Sequence, residues 1–147
     1  MRPFSTPIER SVDPLQVSLA VLHAGYWAEG LMLNATGQHE VRDRVVQALR
    51  GLVTEAKAGV RLDELAAKAA RAIGPCQPHP MIGALAGHSI GMAVDEAPRL
   101  DANGKAVLES GAVYSLGVGG SDGKRHAMLS AMVLVGDRET QVLWSAV

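Results

Sequence analysis

Apolar positions along this chain change period as it runs, and each change marks a predicted element. From Val17 to His23 the run VSLAVLH is short and apolar, bounded by Pro14 and Gly25, which predicts a buried strand. A second run, YWAEGLMLNAT, follows Gly25 and ends at Gly37; two such runs joined by a glycine turn predict a hairpin. The period then becomes helical. Val41, Val45, Leu49, Leu52, Val53 and Ala56 form one apolar stripe, with Thr36 as the expected N-cap, Glu40 in the first turn and Gly59 as the stop. A second helix is predicted from Leu62 to Ile73, with Leu62, Leu65, Ala66, Ala69 and Ile73 inward and Gly74-Pro75 ending it.

Past Pro80 the helical period is gone. MIGALAGHSIGMAV is apolar and glycine-rich, AVYSLGV and AMLSAMVLVG read as strands, and TQVLWSA reads as a last one. Gly119-Gly120 with Ser121, Asp122 and Gly123 is expected to be the loop between two of them. The order β-β-α-α-β-β-β-(β) separates strands from helices. It predicts an α+β fold: a curved antiparallel sheet with helices on one face, forming one domain over residues 1–147. Residues 1–14 hold Pro3, Pro7 and Pro14 and read as an extended arm.

Composition narrows the function classes. The chain has 147 residues, 48% hydrophobic and 20% charged, with a formal charge of −1, so a packed core is expected rather than disorder. With 14 basic and 15 acidic residues and no basic run, nucleic acid is not expected as a partner. The single Cys76 excludes an intramolecular disulfide framework and a Cys-rich zinc site. No apolar run is long enough to span a bilayer and the start lacks the apolar segment of a secretory signal, so a cytoplasmic protein without membrane contact is expected.

Few residues invite chemistry. His88 stands in Gly87-His88-Ser89-Ile90-Gly91, where the glycines permit close approach of backbone or ligand. Its alternatives are a pocket base or ligand and a half-buried sheet histidine. Asp95 and Glu96 follow; adjacent carboxylates face opposite sides of a strand, so only one could share a pocket with His88, and an unbroken strand would turn Asp95 away. His39, at a helix start, and His79, between two prolines, are expected at the surface. His126 follows Lys124-Arg125 in what reads as a charged turn, and His23 belongs to no metal-ligand spacing. The glycines at 117–123 lack the following helix and Lys-Ser/Thr of a phosphate loop. Cys76 has no neighbouring cation to activate it.

The segment Gly87-His88-Ser89-Ile90-Gly91 followed by Asp95-Glu96-Ala97-Pro98-Arg99-Leu100 resembles the "GHGIG…HExPxL" segment of the creatinase/methionine aminopeptidase/prolidase family, the M24-type pita-bread fold. Residues 108–116, LESGAVYSL, resemble the family's "LxPGMVFTI"; residues 131–135 resemble "DMVLV", residues 25–29 "GYxSD", and residues 58–65 its helix junction. The resemblance runs collinearly over nearly the whole chain. In metal-dependent members two Asp, one His and two Glu hold two ions that generate a hydroxide. By resemblance those positions fall on Ser18, Glu29, His88, Gly117 and Ser130, and the family's substrate-contacting histidine falls on Asp95. Two divalent ions need several anionic oxygens, so the expectation is no tight catalytic metal and no other cofactor.

Two functions are compatible with that reading. The first is a metal-free pseudoenzyme or substrate-binding subunit. Family domains carry a further N-terminal half, so this chain resembles the C-terminal portion of one. It is then expected to form a homo- or hetero-oligomer, with a partner supplying the missing half. The second is a metal-independent, creatinase-like enzyme acting on a C–N bond of a small amide-like or peptide-like ligand, with His88 as acid/base and Glu29 and Asp95 beside it.

Overall fold

The computed structural model describes residues 13–100 and 105–147. The expected arm therefore lies, up to residue 12, outside the described residues. The first element is the expected hairpin: β1 (Leu15–His23) pairs antiparallel with β2 (Tyr26–Asn34) from Leu15↔Asn34 to His23↔Tyr26. Its two-residue turn places both Ala24 (φ 50°) and Gly25 (φ 86°) in the left-handed region, the geometry that matches the twist of paired strands. β1 is not the buried strand that its apolar run predicts, since Leu19 and Val21 are 50% and 58% exposed. The hairpin is a two-stranded sheet of its own, and no other described strand pairs with β1.

Helices α1 (Glu40–Glu55) and α2 (Leu62–Ala72) stand where their apolar stripes predict them. The N-cap of α1 is His39 rather than Thr36: its Nδ1 accepts the Arg42 N–H at 3.0 Å. Capping draws the ring inward, so His39 is buried, against the surface position expected for it. Thr36 instead bonds the Asp13 carboxylate, tying the entry of β1 to the exit of β2.

The larger sheet is antiparallel throughout. β5 (Glu96–Arg99), β4 (Leu85–Ser89), β6 (Val113–Ser121), β7 (His126–Leu134) and β8 (Gln141–Ser145) lie side by side in that order, and the short β3 (Gln77–Pro78) also pairs with β6. Alternation decides what each face meets. Tyr114, Leu116 and Val118 of β6 and Leu129, Ala131 and Val133 of β7 are buried with Val41, Val45, Leu49, Leu52 and Leu65 of the helices, and this is the core. The α+β expectation with helices on one face holds.

The glycine pair at 119–120 is in β6, not in a loop. A Cβ on Gly119 would stand 2.6 Å from the His79 Cβ, and one on Gly120 would stand 3.1 Å from Val45 Cγ2. Chain packs closely on both faces of the strand there, and the reversal comes later, at 122–125. No helix among the described residues is long and apolar enough to cross a membrane.

Candidate functional site

The face of the large sheet opposite the helices carries the candidate chemistry. His88 lies on β4, directly across from Ser115 on β6. A side chain on Gly87 would collide with the Ser115 carbonyl oxygen, so the glycine is what lets β4 close on β6 and fixes His88 beside it. Glu29 reaches the same place from β2. Its Oε1 is 3.1 Å from His88 Nε2, and both side chains are mostly shielded, at 17% and 26% exposure.

The protonation of the pair follows from its neighbours. His88 Nδ1 lies 3.0 Å from the Ser89 carbonyl oxygen, which only accepts, so Nδ1 carries a proton. Nε2 faces a carboxylate, and below the raised His88 pKa it carries a second proton, which makes the ring an imidazolium. The hydrogen bond to Glu29 is the largest influence raising the His88 pKa, opposed by burial and helped by the Ser89 carbonyl and by the charges of Glu29 and Asp95. The reciprocal bond lowers the Glu29 pKa, against burial and with help from the Ser115 hydroxyl. The site is a shielded, internally neutral ion pair.

Asp95 does not join it by contact. The segment between β4 and β5 bends rather than continuing as a strand, and Asp95 grips Arg99 through two hydrogen bonds of 3.1 and 2.5 Å. It reaches His88 only through its charge. Glu96 accepts the Ala93 N–H at 2.7 Å.

The remaining degenerate positions have other uses. Ser130, paired with Gly117 across β6 and β7, is buried, and its Oγ accepts the Leu31 N–H at 2.8 Å. Ser18 is exposed on β1, opposite Leu31. A dinuclear metal centre does not fit this donor set. One carboxylate and one imidazole bind each other, one hydroxyl is committed to backbone, one is exposed, and Gly117 offers no side chain. Among the described residues no group of three or more His, Cys, Asp or Glu could hold a metal ion.

Beside Glu29 lies an apolar cleft of about 180 Å³, lined by Leu19, Val21, Ala28, Gly30, Met132 and Trp144. The Trp144 indole lies flat where a side chain on Gly30 would be. The Glu29 N–H donates to Met132 Sδ at 3.3 Å. Sequence reasoning missed Ser115, Met132 and Trp144; alternation places Ser115 and Gly117 on one face, a signal that could have found the serine. His79, expected at the surface, is buried under the hairpin end, and His23 and His126 are exposed.

The sequence matches the family model described as Metallopeptidase family M24 over residues 11–137. None of the curated proteins matches it. Among solved structures, the prolidase from Pyrococcus furiosus is 23% identical with a TM-score of 0.74, over 87% of this chain and 40% of its own. The Xaa-Pro dipeptidase from Bacillus anthracis is 24% identical with a TM-score of 0.72, over 86% of this chain and 38% of its own. The methionine aminopeptidase from Thermotoga maritima is 14% identical with a TM-score of 0.75, over 87% of this chain and 62% of its own. At such identities the likeness is one of fold, and the chain spans about 40% of the length of the prolidase.

Proposed function

The chain belongs to metallopeptidase family M24, and we propose that it is a metal-free member, a pseudoenzyme or substrate-binding subunit that assembles with a second chain. The observation that carries this reading is the closed His88–Glu29 pair. Each charged group has the other as its partner, and a metal ion would have to displace the imidazolium proton to enter. Ser130 supports it, because its hydroxyl completes the backbone of β2. The assembly part rests on exposed apolar surface: Leu19, Val21, Leu22 and Tyr26 of the hairpin are each at least half exposed. β1 contains no charged residue to guard its outer edge.

A second reading has its own support. A shielded imidazolium paired with a carboxylate at the mouth of an apolar cleft is an acid/base arrangement that needs no metal. In that reading His88 protonates or deprotonates a small amide-like or peptide-like ligand, and Glu29 orients it. Three measurements on the purified chain test the pair of readings: sedimentation velocity, metal content after dialysis against Mn²⁺ and Co²⁺, and turnover of an amide and dipeptide panel by wild type and His88→Ala. A subunit sediments as an oligomer, retains no stoichiometric metal and turns nothing over. Turnover lost in a folded His88→Ala protein establishes the second reading, and two ions per chain would overturn both.

A further inference from the structure

A second cleft opens on the same side of the sheet, beyond the hairpin end remote from Glu29. It is larger, about 460 Å³, and is walled by Pro14, Leu33, Met81 and Met128 on its apolar side and by His79, Lys124, Arg125 and His126 on its polar side. The His88–Glu29 pair uses none of these residues.

His79 is the fixed point. It is only 6% exposed. Its Nδ1 accepts the Met81 N–H at 3.1 Å, so Nδ1 is unprotonated and Nε2 carries the proton. That Nε2–H has no hydrogen-bond partner among the described residues and is not sealed from solvent, unlike His39 Nε2, which is buried without one; it borders the cleft. The ring is held rigidly: its Cβ presses on Gly119, and the ring stands edge-on to His126 with centroids 5.3 Å apart. Burial and the neighbouring His126 both push the His79 pKa down, in keeping with a neutral donor in a positive surrounding.

The turn supplies the charge. Asp122 accepts the backbone N–H groups of Lys124 and Arg125 and pairs with the Arg125 guanidinium at 3.0 Å. That carboxylate neutralises Arg125 and shapes the turn, and Lys124 has no ion-pair partner among the described residues. A donor without an acceptor, an uncompensated ammonium and a second imidazole therefore border one cleft, with Arg125 and Gln16 as its other polar walls and Pro14, Leu33, Met81 and Met128 as its apolar ones.

We propose that this cleft binds the oxyanion of a small amphipathic ligand, a carboxylate or phosphate group carried on an apolar body. Lys124 meets the anion with charge, His79 donates its Nε2–H, the His126 ring adds a further N–H donor, and Met81, Met128 and Leu33 receive the body. The volume is that of small-ligand pockets.

The test is a titration of the full chain, followed by amide NMR, with sodium phosphate and separately with succinate, at ionic strength matched by sodium chloride. Saturable shifts confined to Met81, Lys124, Arg125 and His126 are expected with one or both anions and not with chloride, and the tighter anion names the head group. Lys124→Ala removes a charged hydrogen bond and His126→Ala a ring donor, and each should weaken binding about tenfold. Arg50→Ala, on the exposed side of α1, should leave it unchanged. Lys124 and His126 are exposed, so both variants should fold, and spectra unchanged elsewhere establish that they have. No saturable shift with either anion, or equal affinity in all three variants, overturns the proposal without bearing on the His88–Glu29 reading.

Discussion

His88 Nε2 stands 3.1 Å from Glu29 Oε1, bringing together a strand of the hairpin and a strand of the large sheet that belong to separate hydrogen-bonded ladders. The ion pair is thus a fastener as well as a candidate site. His88 has a raised pKa when folded, so its contribution to stability is complete below its unfolded value of about 6.5 and is lost as pH rises through the raised value. Glu29 has a lowered pKa, so its contribution is complete above its unfolded value of about 4.5 and is lost as pH falls through the lowered value. Stability from the pair is greatest between about pH 4.5 and 6.5. Glu29→Gln should cost about 1.5–3 kcal/mol there, and much less at pH 9. Urea denaturation of both proteins at pH 5.5 and pH 9 measures this, and a pH-independent difference would count against the pair.

Gly87→Ala should be more damaging than its single methyl group suggests. The new Cβ would meet the Ser115 carbonyl oxygen, a backbone atom that cannot swing away, so β4 would have to separate from β6. A loss of about 2–4 kcal/mol is expected by denaturant titration, accompanied by a fall in the His88 pKa as Glu29 moves out of reach. An intact His88 titration in a destabilised variant would show that the glycine shapes the sheet but does not position the histidine.

Gln16 is a further attachment of the hairpin, on its β1 strand. Its side-chain amide donates to the Met32 and Met128 carbonyl oxygens at 2.8 Å each and accepts the Met128 N–H at 3.0 Å. β8 stops at the Ala131↔Ser145 pair, so Met128 has no strand partner on that side. The glutamine amide stands in for the missing strand. Gln16→Ala should cost about 1–3 kcal/mol and sharply accelerate exchange of the Met128 amide hydrogen, leaving Leu129 and Ala131 protected.

The helices and the β1–β2 turn were legible in the sequence because their signals are local. Val41, Val45, Leu49 and Leu52 repeat on one helical face, and Gly25 sits between two apolar runs. Positions governed by distant packing were not. Gly119-Gly120 has the composition of a turn, yet it is strand because His79 and Val45 press on it from opposite sides. His39 has a surface residue's polarity, yet it is buried because it caps α1. Of the candidate site, the flanking glycines marked His88 and family resemblance supplied Glu29, while the spacing of Asp95 gave no hint that it would hold Arg99.

Gly30→Ala separates a cost in packing from a cost in shape. A methyl group there would stand 2.6 Å from Trp144 Cη2, an overlap that cannot persist. The obstacle is the far end of a side chain on β8, the edge strand, and not backbone. Trp144 can therefore turn toward solvent, and the loss should be small, about 1 kcal/mol. The consequence falls on the cleft beside Glu29, of which the indole is a wall. In a Trp27→Phe background, where Trp144 is the remaining indole, Gly30→Ala should shift emission to longer wavelength and raise acrylamide quenching. If emission is unchanged while stability falls by several kcal/mol, the indole is held and the hairpin itself has been displaced.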